Sequence, residues 1–269
     1  MKQYSTLIIK KTNKNNTASK EIFDVKKILS KPCNKANIKT AKGRKISSTL
    51  WIKRQLSDPF VIFAKMEGYL SRAAYKLLEI NKKFKIFNKT FREKNKDNSI
   101  KYKIILDLGC APGSWMQVMI KHKFITKNDV LIGVDLLKLT LDINKKLHPN
   151  IFFINGDFED KNIIKEILAI MKQFNAKNVD IILSDMAENS TGESTTDRLK
   201  NERLVESVFN FANKKLSPNG IVVCKTIKGS DNKDFILHLQ EKYQTIKRFK
   251  PSSSRSNSSE IYLYCESNE

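Results

Sequence analysis

Three carboxylates and one ammonium stand at the ends of four successive apolar runs. Asp135 closes the run 130–135 (VLIGVD). Asp157 follows 151–154 (IFFI) after Asn155-Gly156, Asp185 follows 179–184 (VDIILS), and Lys225 ends 221–225 (IVVCK). An earlier run, 103–108 (KIILDL), leads into Gly109-Cys110-Ala111-Pro112-Gly113-Ser114-Trp115. Gly109 and Gly113 let the backbone approach a ligand closely and turn sharply into a helix. The turn is not GxGxxG and no Gly-Lys-Ser/Thr follows, so it is poorly suited to phosphate. An acid just before a glycine turn, here Asp107, suits a cation better than a pyrophosphate. The plain alternative is an ordinary strand-to-helix turn.

A carboxylate at the end of the second strand is the usual acceptor for the ribose hydroxyls of a nucleoside cofactor, which assigns that role to Asp135. Asp157 has two readings: an acceptor for an adenine amino group with Phe158 packing nearby, or the N-cap of a helix over 159–174. Trp115 reads equally as core or as a wall of the cofactor site. His122, His148 and His238 are isolated, fit no metal spacing and read as surface residues. Cys110 and Cys224 read as small apolar packing groups.

These side chains need a scaffold that brings strand ends together. Strand-like runs at 103–108, 130–135, 151–154, 179–184, 221–225, 243–248 and 260–265 alternate with helical runs at 114–123, 159–174, 196–216 and 231–242. Short apolar runs bounded by Gly, Asn and Asp are what buried parallel strands look like. Their alternation with helices predicts βαβ units and one parallel sheet, an α/β fold. Ligands of open α/β sheets bind beyond the carboxyl ends of the strands, where the acids and Lys225 fall. Upstream, Asp58-Pro59 is expected to break residues 48–66 into two helical pieces. Ser71 is expected to cap a helix with Ala73, Ala74, Leu77, Leu78 and Phe84 on its apolar face. Lys53, Arg54, Lys65, Arg72 and Lys76 sit between these apolar positions, and Lys82, Lys83 and Lys85 follow.

The formal charge of +22 over 269 residues points to a polyanion partner, with nucleic acid ahead of an anionic membrane. No apolar run approaches the roughly 18 residues of a membrane span. The four cysteines are scattered without CxxC, which argues against a disulfide framework or a zinc ribbon. The first 56 residues hold 15 Lys and Arg against 2 acids. The expected division is a basic, disordered extension over 1–46, basic N-terminal helices over 47–100 and a catalytic domain over 101–269. The extension reads as a solvated tail, with an RNA-grasping arm and an organelle transit peptide as alternatives. Residues 252–259 (SSSRSNSS), bracketed by strand-like runs, read as a loop. A pocket with several carboxylates and a glycine turn suits a nucleoside that carries positive charge. S-adenosylmethionine, with its ammonium and sulfonium, is such a molecule.

The set DLGCAPGSW, GVDLL, NGDF, LSDMAENSTG, CKTIKG and SSRSNSSEIYLY resembles the FtsJ/RrmJ-type ribose 2′-O-methyltransferases. STLWIKRQLSDPFVIFAKMEGYLSRAAYKLLEI is similar to their bacterial heat-shock branch, which methylates a uridine of large-subunit ribosomal RNA. The resemblance runs from about Ser47 to Cys265, in order. It implies a Rossmann-like fold whose seven-stranded, mostly parallel sheet ends on an antiparallel strand, with helices on both faces. It implies a catalytic tetrad of Lys76, Asp185, Lys225 and Glu260. The implied cofactor contacts are Gly113, Trp115, Asp135, Asp157 and Asp185, with S-adenosyl-L-methionine as cofactor and no metal. The implied partner is large-subunit ribosomal RNA within the 50S subunit, met by a monomer in the bacterial cytoplasm, with a mitochondrion or plastid as the alternative. Relatives commonly carry Gly where this chain has Ser114, Ala in place of Cys110, and Pro-Asn where Glu188-Asn189 follows the SDMA motif.

In the chemistry so implied, a ribose 2′-hydroxyl attacks the sulfonium methyl in line, and the enzyme must align it and remove its proton. Lys225 is expected to receive that proton or to orient the hydroxyl, and Asp185 to hold Lys225. Lys76 and Glu260 position the tetrad and the ribose. Transfer RNA or a messenger cap are the alternative substrates, against which Trp51 through Phe60 argue. A catalytically silent assembly factor is the non-enzymatic alternative.

Overall fold

The computed structural model describes residues 46–88, 102–188, 191–228, 233–256 and 258–268. The expected basic extension therefore lies, Ile46 aside, outside the described residues. Among the described residues three helices come first: α1 (Ile46–Leu56), α2 (Pro59–Met66) and α3 (Ala73–Phe84). The break falls at Asp58-Pro59 as expected. Asp58 caps α2 by accepting from the Phe60 N–H, and Pro59 occupies the first turn, where its missing N–H costs nothing. The third helix starts at Ala73, and its N-cap position belongs to Arg72. Ser71 is one residue too early for the expected cap. Its hydroxyl accepts from the Ala73 N–H and pairs with the Ser114 hydroxyl at 2.7 Å instead.

Seven strands follow: β1 (Lys103–Leu108), β2 (Asp129–Asp135), β3 (Ile151–Asn155), β4 (Val179–Ser184), β5 (Leu216–Ile227), β6 (Tyr243–Phe249) and β7 (Glu260–Ser267). Four helices separate them: α4 (Ser114–Lys121), α5 (Lys161–Gln173), α6 (Ser194–Lys215) and α7 (Lys233–Gln240). The strand order is β3-β2-β1-β4-β5-β7-β6. β1 to β5 pair in parallel, and β7 runs antiparallel to both neighbours, β5 and β6. The order reverses between β1 and β4, which opens the crevice where such sheets bind ligands.

Strand alternation sorts the apolar residues into two cores. On one face Ile105, Leu131, Leu183, Val223 and Tyr262 pack under Trp115, Met116 and Met119 of α4. Phe60, Phe63, Tyr75, Leu77 and Ile80 of α2 and α3 belong to the same cluster. The N-terminal helices thus share a core with the sheet. On the other face Leu106, Ile132, Ile182 and Leu263 pack under Ile167 and Met171 of α5 and Val208 and Phe209 of α6. The face under α3 and α4 also carries the polar residues Asp107, Asp185 and Lys225, because each follows an apolar residue of that core by two positions.

No helix of the described residues is long and apolar enough to cross a membrane. Of the three histidines, His122 and His238 are exposed and His148 is half-buried. The His122 Nε2 meets the Tyr69 hydroxyl at 2.6 Å. Cys110, Cys224 and Cys265 are buried free thiols. Burial pushes Cys224 up to about 12, so it stays protonated at neutral pH.

Candidate active site

Asp185 is the hub. The backbone just past β4 fixes it, since the Asp185 N–H donates to the Leu108 carbonyl at 3.0 Å. Its Oδ1 accepts from the Tyr262 hydroxyl at 2.7 Å and pairs with Lys225 Nζ at 3.0 Å and, as an ion pair only, with Lys76 Nζ at 3.7 Å. Lys225 Nζ also donates to the Asp185 carbonyl at 2.5 Å. Lys76 Nζ continues outward to Glu260 Oε2 at 3.2 Å. All four expected tetrad residues therefore meet in one chain of contacts, Lys225–Asp185–Lys76–Glu260.

Sheet register accounts for the meeting. Lys225 on β5 stands opposite Tyr262 on β7, and Ile227 opposite Glu260. Because β7 is antiparallel, its first residues lie at the same edge as the last residues of the parallel strands. Lys76 enters from α3, which Trp115 holds in place: the Trp115 indole N–H donates to the Ala73 carbonyl at 2.9 Å.

Burial alone would push the Asp185 carboxyl up, but the Lys225 and Lys76 ammoniums and the Tyr262 hydroxyl outweigh it and hold it below the usual carboxylate range. Burial, then the Asp185 charge, pushes the Tyr262 phenol well up, so it stays a neutral donor. Sequence reasoning missed Tyr262. Its signal was the two-residue alternation that puts it on the face of Glu260.

Toward the cofactor side the acids divide. Asp107 is fully buried, and neither carboxylate oxygen has a hydrogen-bond partner among the described residues. Burial first, then the charges of Asp185 and Asp135, pushes its carboxyl well above the usual range. A buried acid without a donor is costly unless a ligand supplies one. Asp135 is committed in part to the loop: its carboxylate accepts from the Ala111 and Leu137 N–H groups, each at 2.8 Å. Asp157 is exposed and accepts from the Glu159 N–H at 2.9 Å. It is not the N-cap of α5, because that helix starts at Lys161 and Asp160 caps it. Phe158 turns away from the crevice into the second core, where its ring meets Phe211 at 5.5 Å. Trp115 is buried at 3 % exposure beside Tyr262, so its side chain is core.

Gly109 has φ +73°, and a Cβ there would stand 2.7 Å from the Met186 backbone N. The glycine lets the loop after β4 pass against the loop after β1. Gly109→Ala is expected to cost at least about 1–2 kcal/mol from the left-handed backbone alone. Chemical denaturation would show it as a lower midpoint with an unchanged slope. Gly113, at φ +110°, starts α4, with Leu141 packed where a side chain would go.

A family model for the FtsJ-like methyltransferases matches residues 69–268. Curated relatives named ribosomal RNA large subunit methyltransferase E match as well. The one from Rickettsia akari is 39% identical over 229 residues, covering 84% of this chain and 91% of its own. The one from Rickettsia conorii is 37% identical with the same coverage. The chain belongs to the FtsJ-like methyltransferase family. A solved ribosomal RNA methyltransferase from Plasmodium falciparum is 33% identical, with a TM-score of 0.58 over 74% of this chain and 98% of that one. The FtsJ-like region opens at Tyr69, so it includes α3 with Lys76, and it closes beyond Glu260 on β7. α1 and α2 precede it and present Lys53, Arg54 and Lys65 to solvent, while Lys82, Lys83 and Lys85 are exposed at the end of α3.

Proposed function

We propose that this FtsJ-like methyltransferase uses S-adenosylmethionine to methylate the 2′-hydroxyl of a uridine ribose in large-subunit ribosomal RNA. The observation that carries the reading is the convergence of Lys76, Asp185, Lys225 and Glu260 at one sheet edge. The names of the curated relatives support the RNA class. The residues present suit the cofactor. Asp107 is a buried carboxylate with no donor, beside a glycine turn and two further acids, which is the environment a cation needs. When bound, S-adenosylmethionine supplies a methyl group activated by its sulfonium.

The chain's own residues do the rest. Asp135 and Asp157 offer acceptors to the cofactor's ribose and adenine. Gly113 and the backbone of Trp115, at the start of α4, would line its site, the indole being committed to the core. Lys225 receives the proton of the 2′-hydroxyl or orients that oxygen for attack. Asp185 holds Lys225 by side chain and backbone carbonyl together. Lys76 and Glu260, at the outer end of the chain of contacts, orient the ribose. The helices over 47–100 grip phosphates, and residues 101–269 form the methyltransferase body. The substrate is met as part of the 50S subunit by a monomer. The compartment is the bacterial cytoplasm, with mitochondrion or plastid as the alternative.

Labelled cofactor incubated with large ribosomal subunits, naked ribosomal RNA and transfer RNA tests this. Label on one ribose of the large-subunit RNA is expected. Label on a base overturns the reaction type, and label confined to transfer RNA overturns the substrate.

Asp107→Asn separates cofactor binding from stability. A carboxyl raised in the folded state stabilises fully below its unfolded value of about 3.9 and loses that contribution as pH rises toward the folded value. At neutral pH the wild type therefore carries a penalty that Asn removes. The free variant is expected to be more stable by about 1–3 kcal/mol at pH 7 and no more stable near pH 4. Its affinity for S-adenosylhomocysteine, whose ammonium remains, is expected to fall at least about tenfold, about 1.4 kcal/mol. Thermal melts across pH and calorimetric titration check both.

A further inference from the structure

The low-complexity loop between β6 and β7 is bound tightly to the N-terminal helices. Glu79 of α3 accepts from the backbone N–H groups of Ser252 at 2.7 Å and Ser253 at 2.8 Å. Arg72 donates to the Ser253 carbonyl, and Lys250 donates to the Ser258 carbonyl at 2.7 Å. Arg255 reaches back to Asp58 at 3.6 Å, and Arg72 pairs with the same carboxylate.

So held, the loop and the α1–α2 corner border an open cavity of about 750 Å³. Its walls carry four cations, Arg54, Arg72, Lys250 and Arg255, against one carboxylate, Asp58. Asp58, which takes the Phe60 N–H, Arg72 and Arg255, offsets only one of the four positive charges. Ser254 Oγ is buried in the wall without a hydrogen-bond partner among the described residues, and the buried Arg255 Nε faces Asp58 at 3.6 Å. Arg54 is exposed and has no carboxylate partner among the described residues. Burial, then the Arg255 charge, pushes Arg72 down to about 10, as expected where guanidiniums crowd together. A second cavity of about 380 Å³ shares Arg54, Arg72 and Arg255 with the first and is lined also by Lys76 and Glu260. The cationic cavity and the tetrad are thus two ends of one groove.

Guanidiniums with spare donors match phosphate oxygens. A free anion would fill the first cavity and ignore the groove. A polynucleotide strand uses both, with a phosphate at one end and a ribose at the other. We propose that the Arg54–Arg72–Arg255 cavity is a phosphodiester subsite that grips the RNA strand beside the reacting nucleotide. This rests on the ribose methyltransferase reading and adds to it a defined contact, built by a loop far in sequence from the N-terminal helices. Glu79 is its positioning residue, because it fixes the loop without facing the cavity.

RNA carrying one neutral methylphosphonate linkage at a time, on either side of the labelled ribose, tests the subsite. The wild type is compared with Arg54→Gln, an exposed position where folding is not at stake. One linkage is expected to weaken wild-type binding about tenfold, the value of one charge-assisted bond. Arg54→Gln is expected to bind unmodified RNA about tenfold more weakly, to lower the salt slope by about one, and to lose less affinity than the wild type at that linkage. Equal linkage profiles for the two proteins, with label still on the ribose, overturn the subsite and leave the function standing. Displacement of inorganic phosphate from the cavity with no effect of any linkage on RNA binding also overturns it. Absence of ribose label from the wild type overturns both.

Discussion

Lys225→Met is expected to lower kcat by about 10²- to 10⁴-fold, the usual worth of a positioned general base. Binding of S-adenosylhomocysteine should change little, because the ion pair Lys225 makes is with Asp185, on the tetrad side of the site. Asp185 keeps its ion pair with Lys76 and its hydrogen bond from Tyr262, so the fold should survive. The informative partner is Lys225→Arg. Arginine keeps the positive charge but does not give up a proton in proteins. It should therefore be nearly as inactive as Met if Lys225 accepts the proton. Activity near wild type in Lys225→Arg would show that only charge is required there. Single-turnover rates at saturating RNA and cofactor give the comparison without interference from product release.

Asp185→Asn should be the most damaging change to the site. It leaves Lys76 and Lys225, both at least 90% buried in their side chains, without the charge between them. Removing one member of a buried ionic cluster costs up to about 3–5 kcal/mol. The pH dependence has a definite sign. Asp185 is held below the ordinary carboxylate value, so its contribution is full above the unfolded value of about 3.9. It is lost as pH falls through the lower, folded value. The gap between wild type and Asp185→Asn should be widest at neutral pH and close on acidification. Glu260→Gln is the contrast. Glu260 is one-third exposed, and its pairing with Lys76 is worth at most about 1 kcal/mol. Urea denaturation at several pH values separates the two. Equal costs would place the charge balance elsewhere.

Much of this was legible before the structure. The parallel strands are short apolar runs because both faces of the sheet are covered, and their polar final residues mark the ligand edge. β5 begins at Leu216, five residues before its apolar run, because Pro218 and Gly220 look like a turn in sequence. The expected tetrad came from resemblance for Lys76 and Glu260, since a single lysine on a helix and a single acid on a strand carry no local signal. What sequence could not show was commitment. Trp115 spends its indole N–H on a carbonyl 42 residues earlier, and Phe158 turns to the opposite core. Glu79, set in an ordinary helical pattern, grips backbone 173 residues later. Such contacts depend on how elements pack, and no periodicity encodes them. Asp107 is the opposite case: its position before the glycine turn was plain, but its lack of any donor emerges only from the folded surroundings.

The account stands on a sugar oxygen as the acceptor at this tetrad. Transfer to two RNAs that differ only at the mapped nucleotide, ribose in one and 2′-deoxyribose in the other, measures that directly. Methyl transfer to the first and none to the second is the predicted result. Equal transfer to both would contradict the account, because the methyl group would then be landing on some other atom.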